Sequence, residues 1–193
     1  VPGNQLYLPD LGIDLREYFR QLRRTEPDRA LSPATQALLI AHWLQRPWRV
    51  EWPPAEDLAT LGYTPMTLTR CVRELTTAGV ATSSARGRQR YLNFDRDPRA
   101  LWERVKPLLR SPVKRTVWVA HAEAARVAPD LRLAGLSALA QLTALADPQW
   151  PVHALSPAQW KAATGSGVRL LPAPAEGCDE WQLWRYSPAL LPE

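Results

Sequence analysis

Apolar positions along the chain fall first at helical spacing and then, after a glycine, in short alternating runs. Leu15, Tyr18, Phe19 and Leu22 recur every three or four residues, with Arg16, Arg20, Arg23 and Arg24 mostly on the other side. This spacing predicts an amphipathic helix over 15–24. Ala34, Ala37, Leu38, Ala41 and Trp43 predict a second helix over 33–45, ended by Arg46-Pro47. A short helix opens at Pro53-Pro54, runs through Ala55, Leu58, Ala59 and Leu61, and stops at Gly62. The next, over 64–78, buries Leu68, Cys71, Val72 and Leu75 and stops at Gly79. Beyond Gly79 the period changes. Val80-Ala81-Thr82-Ser83 and Tyr91-Leu92-Asn93-Phe94 flank a polar tip over 84–90, the pattern of a β-hairpin.

The second half opens with a helix over 98–109 carrying Leu101, Trp102, Val105, Leu108 and Leu109. Strands are expected at 113–119, 152–155, 168–171 and 181–186, and helices at 133–145 and 158–163. The fold class is therefore α+β: an N-terminal winged helix-turn-helix domain over 1–97, followed by a small mixed helix-strand domain over 98–193 with the 98–109 helix as connector. Internal repeats and low-complexity linkers are lacking.

Nineteen prolines punctuate this pattern rather than break it. Ser32-Pro33, Thr64-Pro65, Asp97-Pro98 and Ser156-Pro157 each place a capping side chain before proline at the first helical position, where its missing N–H costs nothing. Ser156 with Gln159, and Asp14 with Glu17, also have capping-box spacing.

The net charge of +5 becomes informative when divided along the chain. Residues 1–63 have a net charge of −1 and residues 122–193 of −2, whereas 64–121 hold twelve basic and four acidic side chains, a net of +8. Such a concentration suits a polyanionic partner. Short helix, glycine turn, second helix and basic hairpin is also the order that sets one helix in a DNA major groove with a hairpin beside it. With residues 68, 71, 72 and 75 inward, Met66, Arg70 and Arg73 point outward and Thr67 and Thr69 flank them. Arginine can grip guanine O6 and N7 with two hydrogen bonds, and a methionine or threonine methyl can touch thymine. Thr64 is expected to donate to phosphate. The tip Arg86-Gly87-Arg88-Gln89-Arg90 suits the backbone or a narrow minor groove.

The run 64–80, TPMTLTRCVRELTTAGV, resembles the recognition helix and following strand of MarR-type winged-helix regulators, over residues 31–94 in all. The resemblance implies a homodimer on a pseudo-palindromic operator, with Arg70 and the wing arginines at double-stranded DNA. MarR-type proteins carry long dimerisation helices after the wing, and here a mixed helix-strand module follows instead. That module resembles the C-terminal part of winged-helix antitoxins from abortive-infection operons, through Ala134-Gly135-Leu136-Ser137-Ala138-Leu139-Ala140, Pro151-Val152-His153-Ala154-Leu155 and Trp184-Arg185-Tyr186-Ser187-Pro188. This likeness implies a repressor of its own operon that also binds a toxin-like partner protein. The apolar stripes of the 14–24 and 98–109 helices suggest the dimer contacts.

Other chemistry leaves no comparable pattern. His42, His121 and His153 fall in three elements without ligands at metal spacing, and Cys71 and Cys178 stand far apart as reduced thiols. Ser137 lacks the second glycine of a nucleophile elbow, and phosphate-loop and dinucleotide motifs are missing. The expectation is a DNA-binding regulator, not an enzyme, without cofactor or metal. The alternative is an interaction module binding a partner protein through 98–193. Of the nine tryptophans, Trp43, Trp102 and Trp118 are expected in cores, while Trp48, Trp52, Trp150 and Trp184 suit either a partner surface or buried loops. No run approaches the roughly 18 apolar residues of a membrane span, and no leader pattern opens the sequence, so a cytoplasmic location is expected.

Overall fold

The computed structural model describes residues 7–8, 13–14, 30–44, 48–57, 62–128 and 131–190. In chain order, β1 (Tyr7–Leu8) and β2 (Ile13–Asp14) precede helix α1 (Pro33–Leu44), strand β3 (Glu51–Trp52), a 3-10 turn (Pro54–Asp57) and helix α2 (Pro65–Thr77). Strands β4 (Thr82–Arg86) and β5 (Gln89–Asn93) follow. The second half contains α3 (Pro98–Val105) with a 3-10 turn (Lys106–Leu108), then β6 (Val113–Ala120), α4 (His121–Val127) and β7 (Arg132–Leu133). It ends with α5 (Gly135–Leu142), β8 (Val152–Leu155), α6 (Pro157–Gly165), β9 (Leu170–Leu171) and β10 (Cys178–Trp184).

All four capping-residue and proline steps open helices where the sequence places them: α1, α2, α3 and α6 start at Pro33, Pro65, Pro98 and Pro157. At α6 both halves of the Ser156–Gln159 capping box are formed. Among the described residues β1 and β2 pair with each other, and two larger open sheets organise the other strands. One is antiparallel with order β3-β5-β4, and the other is mixed with order β7-β8-β10-β6-β9, in which β8 and β10 run parallel. This is an α+β architecture. Among the described residues no helix is long and apolar enough to cross a membrane.

Residues 31–109 and residues 117–184 bury separate cores. Leu38 and Leu39 of α1, Cys71, Val72 and Leu75 of α2, Trp52 of β3 and Leu92 of β5 form the first. Leu101 and Val105 of α3 join it, with Leu108 and Leu109 packed against it. Most of the apolar stripe of the connector helix is thus engaged within its own chain. Val119, Leu155 and Trp181 centre the second core, and Ala134, Val152 and Ala154 a third, smaller cluster.

Several elements differ from the sequence reading. Asp14 ends β2, paired with Tyr7, and the helix that it is expected to cap over 15–24 lies outside the described residues. The short helix expected from Pro53-Pro54 is a 3-10 turn at Pro54–Asp57, and residues 58–61 lie outside the described residues. The helix expected from residue 133 begins at Gly135, because Arg132 and Leu133 pair with Ala154 and His153 as an edge strand. The two last strands are Leu170–Leu171 and Cys178–Trp184 rather than 168–171 and 181–186. Trp102, expected in a core, is 41% exposed and meets Trp43 edge-on at 5.5 Å.

Candidate nucleic-acid interface

Helix α2 is built to show one face and bury the other. Thr64 caps it, its Oγ1 accepting the Thr67 N–H at 3.2 Å, and Pro65 occupies the first turn. At the far end Gly79, at φ +68, turns the chain so that the Val80 N–H returns to the Leu75 carbonyl. Cys71, Val72 and Leu75 are buried and Leu68 is half-buried, the inner face expected from spacing. Met66, Thr69, Arg70 and Arg73 are exposed, and Thr67 is partly so. Burial raises the Cys71 thiol above its ordinary pKa, keeping it neutral. Tyr63, in the turn before α2, is pushed up to about 12, first by burial and then by the neighbouring Cys71 and Tyr186.

Beside α2 stands the hairpin. Arg86 pairs with Gln89, so the turn holds only Gly87 and Arg88, and the polar tip expected over 84–90 is strand except at these two residues. Gly87 has φ +61, a conformation that glycine adopts without a Cβ penalty. Every residue of β4 is exposed. Only β5 is anchored, through Leu92, and on its other edge it pairs with β3, a strand too short to announce itself in sequence. A cleft of about 390 Å³ lies between α2 and the hairpin, with Leu68, Thr69 and Val72 on one side and Arg88, Gln89 and Arg90 on the other.

The basic side chains divide by their partners. Arg86 forms an ion pair with Glu51 at 2.8 Å and lies over the Tyr91 ring at 5.3 Å, which ties it to the sheet. Glu51 was not apparent from the sequence, since the pairing exists only once β3 lies beside β5. Gln89 Oε1 accepts the Tyr91 hydroxyl at 2.9 Å. Among the described residues Arg73, Arg88 and Arg90 have no ion-pair partner, and the Arg70 guanidinium reaches Met66 Sδ at 3.7 Å. The Thr64 and Thr69 hydroxyls are engaged locally, near Thr67 Oγ1 at 3.0 Å and donating to the Pro65 carbonyl at 3.0 Å respectively.

The acids of this basic stretch mostly face elsewhere. Glu74, the one carboxylate of α2, accepts the Ser32 hydroxyl at 2.7 Å and also bonds Thr35 at the start of α1. Asp97 caps α3 through the Arg99 N–H. Asp95 accepts the Asp97 N–H and pairs with Arg104, and these contacts, the backbone bond foremost, hold its carboxyl below the usual range. The exposed face of α2 and the hairpin tip therefore carry positive charge.

Outside this region, His121 Nδ1 lies 2.8 Å from one oxygen of the buried Asp179, and His153 Nδ1 lies 3.6 Å from the other. The sheet thus joins two histidines that the sequence keeps apart. Among the described residues no group of three His, Cys, Asp or Glu side chains could hold a metal ion. Ser137 is buried, its Oγ accepting the Val152 N–H at 2.8 Å, a structural bond joining α5 to β8. No family model, curated protein or solved structure matches this chain.

Proposed function

We propose that this chain is a sequence-specific, double-stranded DNA-binding transcription regulator, a repressor that acts as a homodimer through a winged helix-turn-helix. The observation that carries the reading is the shared cleft of α2 and the β4–β5 hairpin, with Arg70 and Arg73 on the exposed helix face and Arg88 and Arg90 on the hairpin. Helix α2 fits a major groove, where Arg70 and Arg73 reach guanine edges and Met66, Thr67 and Thr69 contact methyl groups or backbone. Arg88 and Arg90 neutralise phosphates or enter a narrow minor groove, while Arg86, held by Glu51, braces the wing. The order β3-β5-β4, with β3 between the first and second helical segments, supports the winged reading.

Selection of duplexes from a random pool, followed by a salt titration on the winning sequence, tests this. A recovered two-fold motif and a steep fall in affinity with salt support it. Equal binding to all duplexes removes the specificity, and no binding at low salt removes the function.

A partner-protein role for residues 98–193, of the antitoxin kind, is favoured by a specific feature of α5. Leu136, Leu139 and Leu142 along the helix, and Leu145 beyond it, are 59%, 42%, 83% and 55% exposed, and residues 134–146 hold no charged side chain. Exposed apolar stripes of this kind mark interaction surfaces. Co-expression with the products of neighbouring genes, with and without Leu142→Glu, tests it, and a complex insensitive to that substitution counts against it.

A further inference from the structure

Sulfur is scarce in this chain: one methionine and two cysteines among 193 residues. The fold hides two of the three. Cys71 and Cys178 are free thiols, each 2% exposed. Cys71 packs in the first core, where burial, the main cause, raises the pKa of its thiol, and a neutral thiol reacts poorly with oxidants. Cys178 opens β10, its Sγ accepting the Ala175 N–H at 3.4 Å. Met66 is the reverse: it is 66% exposed and joins none of the core clusters.

The thioether also has a particular neighbour. Met66 stands in the first turn of α2, four residues before Arg70, a spacing that sets the two side chains on one face a turn apart. Arg70 Nη2 meets Met66 Sδ at 3.7 Å. A thioether is a weak acceptor, so this contact holds the guanidinium only loosely.

Oxidation reverses that balance. When a hydroperoxide meets the thioether, a sulfur lone pair attacks one peroxide oxygen, an S–O bond forms and the O–O bond breaks. The second oxygen takes the proton of the first and leaves as water. Sulfur loses two electrons and the peroxide gains them. Methionine sulfoxide is polar where the thioether was apolar, and its oxygen is a full hydrogen-bond acceptor within range of Arg70.

We propose, resting on the DNA-binding reading of α2, that Met66 is an oxidation site at which hydroperoxides weaken duplex binding, the sulfoxide oxygen accepting from Arg70 Nη2 and drawing the guanidinium off the base edge. Two losses combine. A thymine methyl meets a polar group in place of an apolar one, and the two-bond grip on guanine loses a donor. Enzymatic reduction of the sulfoxide restores the thioether, so the change is reversible.

Treatment of the full chain with hydrogen peroxide, followed by peptide mass mapping and by fluorescence anisotropy on the duplex selected from the random pool, tests the proposal. One added oxygen on the peptide holding Met66 is expected, with both cysteines unmodified and an unchanged unfolding midpoint. The oxidised protein should bind its preferred duplex about 5- to 150-fold more weakly, the discrimination of one bidentate base contact. Methionine sulfoxide reductases for both sulfur epimers should restore the affinity. Met66→Leu, whatever its own affinity, should keep that affinity through the same treatment. In Arg70→Ala the loss on oxidation should shrink, because the group that the sulfoxide captures is gone. An untreated chain that ignores every duplex removes the DNA-binding reading and the oxidation site together. An untreated chain that binds selectively, and binds equally after complete oxidation of Met66, overturns the oxidation site alone. So does a fall in the unfolding midpoint that accounts for the lost binding, equal peroxide sensitivity in Met66→Leu, or an undiminished loss in Arg70→Ala.

Discussion

Gln36 of α1 and Tyr186, 150 residues further on, share a 2.9 Å hydrogen bond from the Gln36 amide to the tyrosine hydroxyl. The same amide donates to the Arg110 carbonyl at 2.9 Å and accepts the Arg110 N–H at 3.0 Å. Gln36 is 2% exposed and uses both amide hydrogens and its oxygen. One buried side chain thereby joins the first helix, the segment after α3 and the end of the second sheet. Leu31 adds a backbone bond to Leu108 at 2.9 Å.

Removing that amide should destabilise both halves together. Gln36→Leu leaves Arg110 N–H and C=O without their partner, and is expected to cost about 1–3 kcal/mol. Tyr186→Phe deletes one hydrogen bond and should cost about 1 kcal/mol. Urea unfolding of the singles and the double gives the coupling. Strict additivity would show that the Gln36–Tyr186 bond contributes nothing of its own.

The Glu74 carboxylate makes a comparable tie between α2 and α1. Thr35 is fully buried, and its hydroxyl donates to Glu74. Glu74→Ala is expected to destabilise the protein by about 1–3 kcal/mol through the unsatisfied Thr35 and Ser32 donors. Glu74→Gln, which keeps an acceptor oxygen, should recover part of that loss. Thermal melts in parallel check the ranking, and equal melts for the two variants would discount the hydrogen bonds.

These ties explain what the sequence could and could not disclose. Helix starts were legible because capping is local: a Ser, Thr or Asp and the proline after it carry the whole signal, as at Thr64-Pro65. The inner face of α2 was legible from its period, since Cys71, Val72 and Leu75 bury as a unit. Strand β3 was not, because Glu51–Trp52 is too short to alternate and is defined by its partner β5. Helix α4 was missed for a similar reason: Ala120 offers no capping side chain, and the helix follows directly on β6. The strands of the hairpin ran further into its tip than expected, because β4 is exposed throughout and shows no apolar alternation.

Acid should weaken the fold through His153. Burial, its main influence, lowers the pKa of this imidazole; Asp179 opposes that and His121 adds to it. In the unfolded chain His153 takes up its proton near pH 6.5, while the folded chain resists until lower pH. The unfolded state thus binds more protons within that window, so stability declines as pH falls from about 6.5 to the depressed folded value and then levels. His153→Gln should flatten this portion of the curve. Chemical unfolding at closely spaced pH values measures it, and an unchanged slope in the variant would assign the acid sensitivity to other groups.

The proposed division of labour between helix and wing makes opposite demands on two arginines. Arg70 lies on the exposed face of α2, where one guanidinium can read one base, so Arg70→Ala should cost about 1–3 kcal/mol on the preferred duplex and relax selectivity at a single position. Arg88 occupies the two-residue turn of the hairpin with Gly87, where a phosphate is the natural partner. Its removal should weaken every duplex by a similar factor and reduce the steepness of log affinity against log salt by about 0.9, the contribution of one phosphate contact. Fluorescence anisotropy on a preferred and a scrambled duplex, across a range of salt, separates the two effects. The same loss on both duplexes from both substitutions would mean that α2 contacts only the backbone, and specificity would then have to come from the shape of the DNA.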